Sequence, residues 1–174
     1  MQSTYERQGG LVRRLAVWSN WLAALALALM MVHITIDVIM RYLFSAPLTG
    51  TIEIVSAYYM VAVIAFPLAY VHFKDHHIRV ELFTAGLSSH RQRQIDTAVE
   101  VLLFVMFTGI AVLSIEEAVA KTQAKEVWEA GQGLIQVWPA RWSLAIGFSL
   151  MALVSFSRLL SRFGLAGHQD ETIK

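Results

Sequence analysis

Four long apolar runs divide this chain, each bounded by polar or charged positions. The first extends from Leu15 to about Met40 and is interrupted only by Ser19, Asn20, His33, Thr35 and Asp37. It exceeds the roughly 20 helical residues that cross a hydrocarbon core of about 30 Å. Trp18 and Trp21 lie near its start, at the depth where indole rings settle. The second run covers about 54–73 and contains Pro67. That proline removes a backbone hydrogen bond and predicts a kink, which neighbouring helices can accommodate. The third run covers about 95–118, with Asp96, Glu100, Glu116 and Glu117 confined to its ends. The fourth covers about 142–159, where Ser143 and Gly147 have the small-xxx-small spacing that permits close helix approach. The pattern predicts one all-α integral membrane domain over residues 1–174. It consists of four transmembrane helices with short interfacial helices.

The connections are shorter and more polar. Residues 41–53 carry the turn signals Pro47 and Gly50. Residues 74–94 are the most charged stretch, and Ile78, Leu82, Phe83 and Leu87 recur there at helical spacing, predicting a short helix lying in the membrane interface. Ser89 followed by Gln92 resembles a capping box for the third span. Residues 119–141 interleave Trp128 and Trp138 with Lys121, Lys125, Glu126 and Glu129. This predicts an interfacial segment in which the third helix extends and then turns at Gly131 and Gly133. Pro139 suits the first turn of the last helix, where a missing N–H costs nothing.

Composition agrees with lipid as the solvent. Of 174 residues, 56% are hydrophobic and only 16% charged, against about 25% charged in soluble domains. The mean hydropathy is +0.54. The absence of cysteine excludes disulfides, thiolate metal sites and cysteine nucleophiles. A net charge of +1 leaves no footprint for nucleic acid. The first apolar run is too long for a signal-peptide core, and no small-residue cleavage site follows it, so it reads as a retained span. Ten of the 14 Lys and Arg residues fall before the first span, between the second and third, or after the fourth. By the positive-inside rule both termini are cytoplasmic.

Few residues are placed to carry chemistry. Asp37 and Arg41 stand four apart on one helix face at the outer end of the first span, which suits an interfacial salt bridge or an ion contact. Glu53 opens the second span, where a carboxylate complements the helix dipole or reaches across to Arg41. His72, His76 and His77 invite a metal or haem reading. Yet His33 and His72 occupy opposite leaflets, and the third and fourth spans supply no histidine, so no pair of axial ligands can form. These histidines read as solvated interfacial groups, pairing on occasion with Asp75 or Glu81. Glu100 is about one turn inside its span and Asp37 is near an end, so neither occupies the midplane typical of coupling sites. No catalytic constellation, metal site or cofactor site is expected, and no enzymatic activity.

The ordered features resemble the small membrane subunit (DctQ-like) of tripartite ATP-independent periplasmic (TRAP) transporters. The matching positions are Arg41-Tyr42 closing span one, Pro47 in the loop and Glu53 opening span two. His77-Ile78-Arg79-Val80-Glu81 is similar to the family's His-Ile-x-Val-acid signature, with Glu81 where Asp is common. Trp138-Pro139-Ala140-Arg141-Trp142 is similar to its entry to the last helix. The resemblance covers roughly residues 12–160. It implies a bacterial inner-membrane protein that binds a large multi-span permease holding the substrate and sodium sites. A periplasmic binding protein would deliver the solute, often an organic acid, and the small subunit would enlarge the stationary part of the carrier. Asp37, Arg41, Pro47, Glu53, Pro67, His77, Arg79, Glu81, Trp138 and Pro139 are then candidates for the partner interface or for structure. Two other readings stand beside this one: a stand-alone small exporter, and a membrane anchor of a redox enzyme.

Overall fold

The computed structural model describes residues 10–74, 89–131 and 133–162. Four helices dominate it: α1 (Gly10–Phe44), α2 (Thr51–Phe73), α3 (Ser89–Ala124) and α4 (Trp138–Arg162). All four are long and apolar enough to cross a membrane. Each contains the apolar run that predicted it and extends beyond it. The 35 residues of α1 and 36 of α3 correspond to about 52 and 54 Å of helix. The predicted interfacial helix, with His76, His77, Arg79 and Glu81, lies outside the described residues.

The helices pack as a row. α1 lies against α2, α2 against α4, and α4 against α3. α4 is therefore the central helix, and it buries the largest share of its span. Small residues set how closely α2 and α4 approach. A Cβ on Gly147 would fall 2.6 Å from the Ala65 carbonyl oxygen, so only glycine allows the two backbones to meet there. The small-residue spacing read in the fourth span thus has a definite partner.

α2 is not uniform. Thr51–Ile54 is α-helical, Val55–Met60 is π-helical, and Val61–Phe73 returns to α-helix. Its buried positions explain the insertion. Ala62, Ala65, Ala69 and His72 follow the 3–4 spacing of one α-helical face, whereas Ala57 lies five residues before Ala62. The π-helical stretch absorbs this extra residue and keeps Ala57 buried, against Val137 and Ala140. Helix continues through Pro67, and the irregularity lies more than one turn before it.

Between α3 and α4 the expectation is half met. α3 does extend past its apolar run, to Ala124, but an antiparallel hairpin follows, made of β1 (Val127–Ala130) and β2 (Gly133–Gln136). Lys125, at φ 49°, ends the helix in the left-handed region. Gly131, at φ 59°, supplies the positive φ that a two-residue hairpin turn requires. The hairpin folds back over the α1–α2 loop. Gly50 has φ 83°, and a Cβ there would overlap the Ile135 side chain.

Replacing Gly147 by Val should force α2 and α4 apart and destabilise the fold by roughly 1–3 kcal/mol, the usual cost of overpacking. Thermal unfolding of the purified variant in detergent checks this, and an unchanged midpoint would remove the Gly147–Ala65 contact as a determinant.

Candidate functional site

The first polar cluster is buried where α2 ends, α3 begins and α4 ends. His72 is 1% exposed, Glu100 4% and Ser155 0%. The Nε2 atom of His72 lies 2.8 Å from Glu100 Oε1 and 3.1 Å from Ser155 Oγ. The second carboxylate oxygen, Oε2, lies 3.6 Å from Arg158 Nη1, and that guanidinium nitrogen is 3.5 Å from His72 Nε2. One carboxylate thus meets groups from two other helices. The local sequence accounts for the convergence. His72 continues the small-residue face of Ala65 and Ala69, while Ser155 and Arg158 share the face of α4 that carries Gly147 and Met151. Small side chains bring the helices together, and the polar ones then meet over the top.

Sequence reasoning placed His72 in the interface as a solvated group, and here it is corrected. The histidine is enclosed, and its carboxylate is Glu100, 28 residues away. Ser155 and Arg158 were not singled out. The available signal was their spacing: His72 lies three residues after Ala69, and Ser155 lies eight after Gly147.

The second cluster clamps the opposite end of the row. Asp37 is 5% exposed. Its Oδ1 accepts the Leu48 N–H at 2.8 Å, and its Oδ2 accepts from Arg41 Nη2 at 3.0 Å. The predicted four-residue pair therefore forms, but it does more than bridge the surface, because it holds the loop containing Pro47. Thr51 Oγ1 donates to the Leu48 carbonyl and tightens the same turn. Arg41 itself remains 62% exposed at its side chain. Glu53 sits in the first turn of α2, a position that complements the helix dipole. The cross-helix contact with Arg41 does not form, because Asp37 holds the guanidinium, and Glu53 has no ion pair among the described residues.

The hairpin completes this end. Tyr58, on the π-helical stretch, donates its hydroxyl to the Gln136 carbonyl at 2.7 Å. Arg141 donates from Nε and Nη2 to the two oxygens of Glu126, both at 3.1 Å, and Lys121 lies 3.7 Å from Oε1. The Arg141 hydrogen bond holds the Glu126 carboxyl below its ordinary range despite some desolvation. Trp138 and Pro139 form the first turn of α4 at the base of the hairpin, and both are half-buried. Pro67 lies within α2, away from either cluster. Among the described residues, no group of three or more His, Cys, Asp or Glu side chains is arranged to hold a metal ion.

A protein-family model described as the DctQ component of tripartite ATP-independent periplasmic transporters matches residues 30–165. The match begins within α1 and ends just beyond α4, so it contains both polar clusters and the hairpin. Comparison with the curated proteins and with the solved structures returned no match.

Two outcomes are expected at these sites. Glu100→Ala removes the carboxylate from the buried His72–Glu100 pair and should cost roughly 3–5 kcal/mol, whereas Ser155→Ala should cost about 1 kcal/mol. Unfolding of both variants in detergent tests the order, and equal midpoints would contradict it. Glu126 has a depressed pKa in the folded state, so its stabilising effect is complete above the ordinary carboxylate range and is lost as pH falls through the folded value. A pH series should therefore show wild type losing stability on acidification more steeply than Glu126→Gln, and parallel curves would refute the linkage.

Proposed function

The chain belongs to the DctQ family of TRAP transporter components, and from this membership we propose that it scaffolds a large multi-span permease. It is a small transporter subunit and a multi-pass inner-membrane protein. The family match over residues 30–165 carries this reading. The geometry supports it in one respect. The buried Asp37, His72 and Glu100, with the partly buried Arg158, are engaged with one another or with backbone, in ties that hold helices together. A carrier acting alone needs a carboxylate that can exchange its partner for an ion or a proton. The exporter reading has less support for that reason, and paired axial histidines for a haem anchor do not occur among the described residues.

In this proposal the partner permease holds the solute and sodium sites, and the sodium gradient drives import. A periplasmic binding protein delivers the solute, an organic acid, while this chain binds no cofactor. Both termini face the cytoplasm, which places the His72–Glu100 cluster on the cytoplasmic side and the hairpin on the periplasmic side. The outward faces of α1 and α3 offer the contact area. Leu22, Leu25, Leu29, Val32, Ile36 and Ile39 are exposed along α1, and only 11% of its membrane-spanning window is buried within the chain. At the outer end Arg41 projects and Glu53 makes no ion pair among the described residues, so the two present both signs of charge to a partner.

Purification of the tagged chain from its native host in mild detergent tests the proposal. A larger multi-span protein should co-purify in near-equal amount, and Arg41→Ala or Glu53→Gln should reduce its recovery or solute uptake. A chain that elutes alone would move the exporter reading forward, and full recovery and uptake in both variants would remove these two residues from the interface.

A further inference from the structure

α3 and α4 meet along a seam that opens on one side toward the hairpin. The rings of Phe107 and Phe148 touch across the two helices with centroids 6.0 Å apart, and the buried Ala111 and Ala118 of α3 continue the contact. Beside this seam runs a groove of about 220 Å³, lined by Ile110, Leu113, Ser114 and Glu117 of α3 with Arg141 and Leu144 of α4. The four α3 residues follow the 3–4 spacing of one helical face and cover about 10 Å of its length. Their polarity is graded by depth. Ile110, Leu113 and Leu144 belong to the apolar runs, Leu113 being 66% exposed, whereas Glu117 and Arg141 stand at the mouth, where those runs end. Trp142 follows Arg141, and its exposed indole donates to Thr122 Oγ1 at 3.1 Å, an arrangement suited to headgroup depth. The mouth carries both signs of charge. Glu126 accepts from Nε and Nη2 of Arg141, which leaves the N–H groups of Nη1 for another acceptor. Glu117 has a side chain that is 56% exposed, 3.6 Å from Lys121 Nζ.

We propose that this groove is a phospholipid site, and that its occupant carries a zwitterionic, amine-bearing headgroup of the phosphatidylethanolamine type. An acyl chain lies on Ile110, Leu113 and Leu144, the phosphate accepts from Arg141 Nη1, and the headgroup ammonium pairs with Glu117. Basic positions between membrane helices are the usual seats of lipid phosphates, and a guanidinium hydrogen-bonds them well. Glu117 supplies the selectivity. A zwitterionic headgroup uses both charges of the mouth, whereas an anionic headgroup without an amine meets a like charge there. A protein helix fits the mouth less well, because its apolar face would strip water from Glu117 and Arg141 without pairing them. The groove belongs to this chain alone, so its occupancy does not depend on which permease the subunit serves.

Native mass spectrometry of the full chain, purified in mild detergent and stripped of lipid, tests this. Phosphatidylethanolamine and phosphatidylglycerol with matched acyl chains are titrated in turn, and the first bound lipid is followed. Wild type should prefer phosphatidylethanolamine by about threefold to fivefold, the size of effect that an exposed ion pair supplies. Glu117→Gln should abolish the preference while both lipids still bind. Ser114→Trp, which fills the groove, should remove the first binding event for either lipid, and Ser114→Leu serves the same purpose should the tryptophan variant fail to fold. Equal binding of the two lipids by wild type, or a preference that survives Glu117→Gln, would overturn the headgroup assignment. A first binding event unchanged by filling the groove would overturn the site itself. The absence of cysteine allows one further check in native membranes, where Leu113→Cys carries a benzophenone label. Illumination should yield a phospholipid adduct, and a crosslink to another protein chain in its place would overturn the choice of occupant.

Discussion

A carboxylate taken out of water must be answered by other groups, and Glu100 is answered from two helices at once. Its position constrains much of the fold. α2 and α3 flank α4 in the row, so His72 can reach Glu100 only if α4 presents small or compliant side chains between them. Ser155 does so, and it lies within hydrogen-bond distance of the histidine. The approach is prepared two turns away, where Gly147 lets α4 contact the Ala65 backbone. Close packing and charge pairing are thus consecutive steps: the first brings polar groups within range, and the second penalises any separation. Lipid sharpens the penalty, since helices in a membrane gain little from hydrophobic association and depend on packing and polar contacts.

The opposite end follows other rules. Backbone geometry matters more there, through Gly50, Lys125 and Gly131 at positive φ, and the main polar contacts join side chain to backbone. Asp37 organises a loop, Tyr58 fastens the hairpin, and the Glu126–Arg141 pair closes the junction from α3 to α4. The π-helical stretch belongs to this end as well. By inserting one residue it brings Ala57 under Val137 and Ala140, beneath the hairpin, without rotating the rest of α2 away from α4.

The four spans were legible because a run of some 20 apolar residues has few alternatives to a membrane helix. Asp37 with Arg41 was legible for a similar reason, since a four-residue spacing on one helix fixes the neighbours. The hairpin was not. Val127, Trp128, Leu134 and Ile135 form two short runs whose apolar and polar positions suit an interfacial helix equally well, and tertiary support from Gly50 decides the matter. The His72–Glu100 contact was hidden by a different limit. Depth was judged from each residue's distance to the end of its own apolar run, which placed both near water. The helices run on beyond those ends, and the lateral neighbours of a side chain are not encoded in its depth.

The unequal helix lengths have a consequence outside the chain. α1 and α3 are 35 and 36 residues long, whereas α2, between the α1–α2 loop and Phe73, has 23, or about 35 Å. The extra length of α3 is largely polar, because its apolar run covers only about 95–118, with Glu116 and Glu117 at the end of that run and Lys121 beyond it in the same helix. Mismatch with lipid depends on the apolar run and not on total helix length, and the four runs, 15–40, 54–73, 95–118 and 142–159, all lie near the roughly 20 residues that span a bilayer. The overhanging turns of α1 and α3 therefore belong to the headgroup layer and the water beyond it, so the two flanks of the row stand taller than the hydrocarbon they cross.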